Sequence, residues 1–274
     1  MLIFEILVAI SAHKSVYHNG LVKEIGRIFR GRVRTSCKPI PAGYDGRMGP
    51  NEDSVAPGLR YVRPSLPEAT HHSGDGVLIP YGRRWGEDGP SPDSYSVETH
   101  LDRFAGLHVV ARALINHLSV AYNVDVEDSP DTSVDLLRQP DGVAESVRVT
   151  PRRPGAAPLT FVFTRYPAVI VHAGSIHDFV FPACGCDACD ETAESAADRL
   201  EMLVLAVAAG GYSERYPVGW RRWVEYALKA ADGSGSESGQ GDPGPIPADR
   251  LRDARIRLRA VPAAWLPWPP CKDR

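Results

Sequence analysis

The sequence predicts an α+β fold, in which an antiparallel sheet is packed by two main helices and flanked by an irregular N-terminal extension and a C-terminal tail. Apolar residues recur every three to four positions over 104–122, and every second position over 143–150. The connections between the predicted strands are too short for parallel crossovers, which need a dozen or more residues. With 274 residues, the chain is long enough to bury a sizeable core.

Each of the two helices is predicted from an apolar face. Thr99 and Asp102 resemble a capping box ahead of the first helix. Its apolar face comprises Phe104, Leu107, Ala111, Leu114, Ile115, Leu118, Ala121 and Tyr122. The second helix is predicted over 191–209, and Gly210-Gly211 is a natural stop for it.

Short β-branched or alternating segments predict the strands, over 123–127, 143–150, 159–164 and 168–172. Residues 220–230 fit either a helix or an edge strand, and a strand is favoured.

His71-His72 is predicted to lie in a loop. His108 and His117, on or beside the first helix's apolar face, are interpreted as core histidines.

The chain divides by composition into four parts. Residues 1–57 show no sustained period and are interpreted as disordered or as a mis-assigned extension, with a basic arm as the alternative. Residues 59–231 form the predicted domain, and the Gly/Ser-rich stretch 232–246 reads as a flexible linker. The remainder, 247–274, is predicted as a short basic helix and a loosely attached Trp/Pro-rich tail.

Composition excludes few classes of partner. The net charge of −3 gives no strong nucleic-acid signal, and no stretch approaches the ~20 apolar residues that a membrane helix needs. The partner therefore stays unknown, with a protein partner possible. Five cysteines, three of them bunched, do not resemble a disulfide framework, so a cytoplasmic location is expected.

The strongest candidate for a functional site is the run Cys184-Gly-Cys186-Asp-Ala-Cys189, which holds three cysteines in six residues. Thiolates are the ligands that zinc prefers, and Cys186 and Cys189 have the spacing of a zinc knuckle. The three cysteines are therefore predicted to be ligands of a structural zinc ion, with His177 or His172 as the fourth. His172 is placed at a strand end and His177 in the following loop.

Other interpretations of this cluster stay open. Asp178 or Asp187 can replace the histidine, because carboxylates also bind zinc. Cys186 and Cys189 can instead form a redox pair, although the βαβ unit typical of such motifs is missing and acidic neighbours oppose thiolate formation. The three cysteines can also be ordinary buried residues without a task.

Several short motifs resemble an uncharacterised family of high-GC bacterial proteins, classed as a domain of unknown function, over roughly residues 59–231. The motifs are Arg83-Arg-Trp-Gly86, Tyr95-Ser-Val97, Thr99-His100, Tyr166-Pro167, Val171-His-Ala-Gly174, His177-Asp-Phe179, Cys184-Gly-Cys-Asp-Ala-Cys-Asp-Glu191 and Gly210-Gly-Tyr212. The resemblance implies a soluble bacterial domain and supplies no catalytic residue. We therefore expect a non-enzymatic binding or interaction domain stabilised by zinc, with a thiol-disulfide oxidoreductase as the alternative.

Overall fold

The computed structural model describes residues 60–67, 69–261 and 263–271, together with the short strand Arg34–Thr35. All of these residues belong to the unit formed by residues 32–274. Apart from that strand, the extension predicted over 1–57 lies outside the described residues.

The described elements are eleven strands and three α-helices. The strands are β1 (Arg34–Thr35), β2 (His71–His72), β3 (Leu78–Ile79), β4 (Val124–Asp128), β5 (Val143–Pro151), β6 (Leu159–Thr164), β7 (Val169–Ala173), β8 (His177–Phe181), β9 (Tyr212–Val218), β10 (Trp223–Lys229) and β11 (Ser236–Gly241). The helices are α1 (Gly106–Ala121), α2 (Ala193–Ala208) and α3 (Ala248–Arg259).

The main sheet is antiparallel throughout, in the order β1-β4-β5-β6-β7-β8. Helix α1 packs on β4, β5 and β7, and α2 packs on α1 and β8. All six residues of β6 are buried, because the helices cover one face and the 3-10 helix Pro130–Asp135 lies against the other. The predicted α+β fold, with an antiparallel sheet and two main helices, is confirmed.

The expectation that no stretch is suited to a membrane helix is wrong by length and composition, because α1 and the turn before it, Leu101–Ala121, pass that test. The apolar face packs into the core of the domain, where Leu107, Leu114 and Leu118 are fully buried. A buried helix of this kind is ordinary in a soluble protein.

The predicted start of α1 is wrong. The helix begins at Gly106, after a 3-10 helix over Leu101–Phe104, and Thr99 does not cap it. His100 adopts a left-handed backbone conformation, φ 51°, which changes the direction of the backbone between Thr99 and the first turn of the helix. Thr99 therefore forms hydrogen bonds with Asp187 instead of capping the helix.

The predicted linker over 232–246 is also wrong, because Ser236–Gly241 forms strand β11. It pairs with β10, which pairs with β9, so β10 is the central strand of a second sheet and not an edge. Gly239 lies against the ring of Tyr226, where an added Cβ would be 2.5 Å from Cε1. Glycine is thus required by a close approach in a regular strand, a use that composition does not distinguish from a linker.

The C-terminal tail is an integral part of the core and not loosely attached. Trp265 and Trp268 are 3% and 2% exposed. Their indole N–H groups donate to Glu214 Oε2 at 3.0 Å and to the Ala157 carbonyl at 2.9 Å. Buried indoles with satisfied N–H groups contribute large apolar areas, so the domain extends through the tail.

Candidate metal centre

The three cysteines lie in the loop of residues 182–192, called the cysteine loop, between β8 and α2. Cys186 precedes a 3-10 helix, Asp187–Cys189, and Asp190 ends that turn with a left-handed φ of 51°. Helix α2 then begins behind a capping box formed by Thr192 and Ser195. The tight turn brings side chains that are close in sequence to the same side of the loop.

The sulfur atoms of Cys184, Cys186 and Cys189 all lie within 4.8 Å of one another. The Cys184 and Cys186 sulfurs are 3.2 Å apart, well beyond the ~2.05 Å of a disulfide bond. Cys186 is buried, Cys184 is half-buried and Cys189 is exposed. The structure thus brings together the three predicted sulfur ligands in a cluster that is open on one side.

The three thiols differ in how readily they lose a proton. Burial raises the pKa of Cys184, and burial together with the neighbouring sulfurs raises the pKa of Cys189 well above the ordinary range. Burial also acts to raise the pKa of Cys186, but hydrogen bonds from the other two thiols and from the backbone N–H groups of Cys189 and Ser96 lower it overall. Cys186 is therefore the first thiolate of the cluster, and the thiolate is the form that binds metals.

Asp187 attaches the cysteine loop to the segment that crosses over it, residues 81–104, called the covering segment. Its carboxylate accepts hydrogen bonds from the Thr99 backbone N–H at 3.1 Å and the Thr99 hydroxyl at 2.8 and 2.9 Å. Arg84 Nη1 lies 3.2 Å from the same carboxylate, and Trp85 Nε1 donates to the Asp187 carbonyl. Although burial opposes ionisation, these contacts hold the pKa of Asp187 below its usual value.

Arg103 and Glu191 make further attachments. The buried Arg103 guanidinium donates to the carbonyl oxygens of Gly185, Thr99 and Glu191. The Glu191 carboxylate accepts from the backbone N–H of Cys184 at 3.0 Å and of Ala183 at 3.3 Å. Because its polar groups are bonded on several sides, the loop presents the sulfurs from a rigid frame.

The structure does not place His172 with the sulfurs. His172 Nδ1 lies 2.7 Å from Asp178 Oδ1, and Asp178 Oδ2 accepts from the Leu137 N–H at 2.7 Å. Both side chains lie on the face of the main sheet that carries Thr160 and Asp135, whereas the cysteine loop continues into α2 on the other face. Successive strand residues alternate between the two faces of a sheet. A shift of one residue along the strand would therefore have placed a side chain such as His172 on the opposite face.

His177 is also held elsewhere. It begins β8 and is not in a loop, and its Nδ1 lies 2.9 Å from Glu214 Oε1. The cysteine loop follows Phe181 at the other end of that strand, roughly 13 Å away at ~3.3 Å per residue. Among the described residues, the metal-ligand group around these sulfurs consists of the three cysteines.

Asp178 and Asp187, the carboxylate alternatives for the fourth zinc ligand, are also hydrogen-bonded to other groups. Asp178 bonds His172 and the backbone of Leu137, and Asp187 bonds Thr99. Neither belongs to the group of ligand atoms around the sulfurs. The fourth position of a metal ion held here therefore remains for a water molecule or an exogenous ligand.

A groove of about 600 Å³ adjoins the exposed side of the cluster. Its lining comprises Tyr81, Gly82, Arg83, Cys189, Asp190, Glu191, Thr192, Ser195 and Arg199. The lining includes two arginines and two carboxylates, and the capped start of α2 contributes Thr192 and Ser195. The groove suits a polar ligand of mixed charge.

Two features escaped sequence reasoning. His71-His72, predicted as a loop, forms β2, which pairs with β3 across the turn Ser73-Gly-Asp-Gly76. That glycine-rich turn followed by Val77-Leu-Ile79 is a hairpin signal that could have found it. The anchoring of the cysteine loop by Arg103 spans 82 residues of sequence, and no local pattern announces it.

Comparison with known proteins gives one match. A family model described as a family of unknown function, DUF6226, matches residues 67–272. No curated protein and no solved structure matches the chain. The match covers the cysteine loop, the covering segment and the C-terminal tail.

Proposed function

Because this chain belongs to DUF6226, a family of unknown function that supplies no activity, we propose from its site that it is a non-enzymatic binding or interaction domain. In this proposal Cys184, Cys186 and Cys189 hold one structural zinc ion. Three reduced thiols need a reducing compartment, so the proposal includes a cytoplasmic location.

The observation that carries the proposal is the convergence of the three sulfurs. Tetrahedral zinc–sulfur bonds of ~2.3 Å separate neighbouring sulfurs by roughly 3.8 Å. The distance of 3.2 Å between the Cys184 and Cys186 sulfurs, with all three inside 4.8 Å, needs adjustments of only a few tenths of an ångström to about 1 Å. Side-chain rotation within the loop supplies movements of this size.

A structural role follows from what the cysteine loop joins. Asp187 and Arg103 connect it to the covering segment, and Glu191 connects its first residues to the start of α2. A zinc ion bound by the loop would lock these connections, because its ligands converge in the folded chain and are scattered in the unfolded one. Zinc removal is expected to loosen the covering segment before the main sheet.

The binding role is assigned to the groove beside Cys189. In this proposal the fourth zinc position opens on the exposed side of the cluster, beside the groove that Arg83, Arg199, Asp190 and Glu191 help to line. A polar segment of a protein partner, or a small polar ligand, would find charged groups of both signs there. Contact with the metal would then come through the open position.

The test is zinc content with matched variants. Protein purified under reducing conditions is expected to hold about one zinc per chain, and Cys184→Ser, Cys186→Ser and Cys189→Ser each to lose most of it. His172→Gln and His177→Gln are the controls, since both rings are hydrogen-bonded elsewhere. A folded, metal-free wild-type protein that takes up no added zinc would reject the proposal.

A thiol-disulfide oxidoreductase is the second candidate, favoured by the 3.2 Å separation of two sulfurs. That separation joins Cys184 and Cys186, and the Cys186/Cys189 pair that sequence suggests lies within 4.8 Å. In that reaction the two thiols would reduce a substrate disulfide, forming one disulfide between them while the substrate gains two electrons and two protons as free thiols. Metal-free protein that catalyses this exchange, and loses it in Cys184→Ser, would replace the zinc proposal.

A further inference from the structure

A second group of metal-ligating side chains lies outside the cysteine loop. Ligand atoms of His71, His100 and Asp102 lie within 4.8 Å of one another. His71 begins β2, and His100 and Asp102 lie at the start of the 3-10 helix before α1. We propose that these three side chains bind a divalent transition-metal ion, independently of any zinc at the cysteines.

The ring of His100 makes one hydrogen bond of the kind that metal-binding histidines make with their other ring nitrogen. Its Nε2 lies 3.1 Å from the His72 carbonyl oxygen, and because a carbonyl only accepts, Nε2 carries the proton. The lone pair is therefore on Nδ1. Metal-binding histidines almost always donate their other N–H to a carbonyl or carboxylate, which fixes the tautomer and the plane of the ring.

His71 supplies an independent observation. The residue is 8% exposed, and its Nε2 is fully buried with no hydrogen-bond partner among the residues that the structure describes. A buried polar nitrogen without a partner is unfavourable, because it has lost its hydrogen bonds to water and gained none in the fold. Since the rings of His71 and His100 are only 4.8 Å apart, one ion between them would give the unsatisfied imidazole a partner.

Asp102 completes the set with a negative charge. Its side chain is exposed, and within the described part of the chain its carboxylate makes no hydrogen bond or ion pair. The nearby Arg103 guanidinium is directed to backbone carbonyls, including that of His100, and stacks over the Tyr81 ring at 4.3 Å. The positive charge is thus engaged away from the carboxylate.

The donor set selects the class of metal. Two imidazole nitrogens and one carboxylate suit zinc, iron(II), cobalt(II) or nickel(II), whereas magnesium and calcium prefer oxygen ligands throughout. Three protein ligands leave further coordination positions open, as in zinc and iron sites that bind water or a small ligand. Asp102 is the exposed member of the three, so the group borders the solvent.

The experiment is a cobalt(II) titration of the full-length chain followed by absorption spectroscopy. Cobalt at the cysteines produces a sulfur-to-cobalt charge-transfer band, whereas cobalt at the two histidines and Asp102 produces only d–d bands. We expect a second equivalent that adds d–d bands alone. Asp102→Asn and His100→Gln should weaken this equivalent at least about tenfold, because losing even an outer-shell partner of a ligand typically costs about 10- to 100-fold in metal affinity.

His72→Ala is the matched control, because His72 is exposed and contributes only its backbone carbonyl to His100. It should leave the second equivalent unchanged. Asp102 is exposed, so Asp102→Asn should stay folded even if His100→Gln does not, and circular dichroism checks this. Equal cobalt binding in wild type, Asp102→Asn and His72→Ala, or no thiolate-free binding in wild type, would overturn the proposal whatever the cysteines bind.

Discussion

The guanidinium of Arg103 binds the backbone of Gly185, with Nη2 donating to the Gly185 carbonyl oxygen at 3.0 Å. Nη1 of the same group donates to the carbonyl oxygens of Thr99 and His100. One buried side chain therefore joins the middle of the cysteine loop to the backbone that carries His100. Both candidate metal sites depend on its position.

Replacement of Arg103 by leucine is expected to destabilise the fold and weaken metal binding together. Several buried carbonyl groups would lose a charged donor, which should lower the free energy of unfolding by about 3 kcal/mol or more. Urea denaturation measures this loss. Arg252→Leu, at an exposed position on α3, is the control and should change stability by less than about 0.5 kcal/mol. Equal stability of the two variants would contradict the anchoring role.

Gly185→Ala is expected to disturb the cysteine loop by direct collision. An added Cβ would overlap the Tyr166 hydroxyl oxygen and would lie 3.2 Å from Cζ. Either the ring or the loop must move, so zinc affinity measured by competition with a chelator should fall at least about tenfold. Tyr166→Phe removes the closer atom, and the double variant should recover part of the affinity. No recovery would mean that the loop is disturbed for another reason.

Glu214→Ala is expected to be among the most destabilising single substitutions. The buried carboxylate accepts hydrogen bonds from the N–H groups of Ser175 and Ile176, and from Trp265. Removal leaves several buried donors unpaired, and we expect a loss of about 3 kcal/mol or more in urea denaturation. Glu225→Ala, which breaks an exposed pair with Arg215, should cost under about 1 kcal/mol. A small effect at Glu214 would contradict the buried network.

Stability is expected to fall as the pH drops below about 6.5, because burial lowers the pKa values of His108 and His117. Below that pH the unfolded chain takes up protons that the folded chain still excludes, so the free energy of unfolding decreases. Denaturant unfolding at several pH values measures the slope. His108→Gln should flatten it, since glutamine does not titrate and can still donate to the Ala168 carbonyl. An unchanged slope would rule out a contribution from His108.

Sequence patterns predicted the elements that repeat locally. The apolar face of α1 and the alternation in β5 were sufficient, because each reflects the period of one element. Strand β11 and the Trp265–Trp268 tail escaped because their places depend on partners far along the chain, such as Tyr226 and Glu214. Long-range pairing of this kind leaves no periodic signal.

The candidate site divides in the same way. The three cysteines converge because a single tight turn holds them, so sequence proximity sufficed. Whether His172 joins the cysteines depends on the sheet face to which its side chain points. Whether His177 joins them depends on the end of β8 at which it lies. The buried His71 lies beside His100 because the covering segment, which carries His100, packs there. No spacing rule in the sequence predicts that contact.

Zinc X-ray absorption spectroscopy on the chain loaded with one equivalent of zinc identifies the atoms that bind the metal. We expect three sulfur neighbours at ~2.3 Å and one nitrogen or oxygen neighbour at ~2.0 Å. Cys189→Ser should reduce the sulfur number to two. A coordination shell of nitrogen and oxygen alone, or zinc that dialyses away without change in stability, would contradict the assignment of the three cysteines as a zinc site.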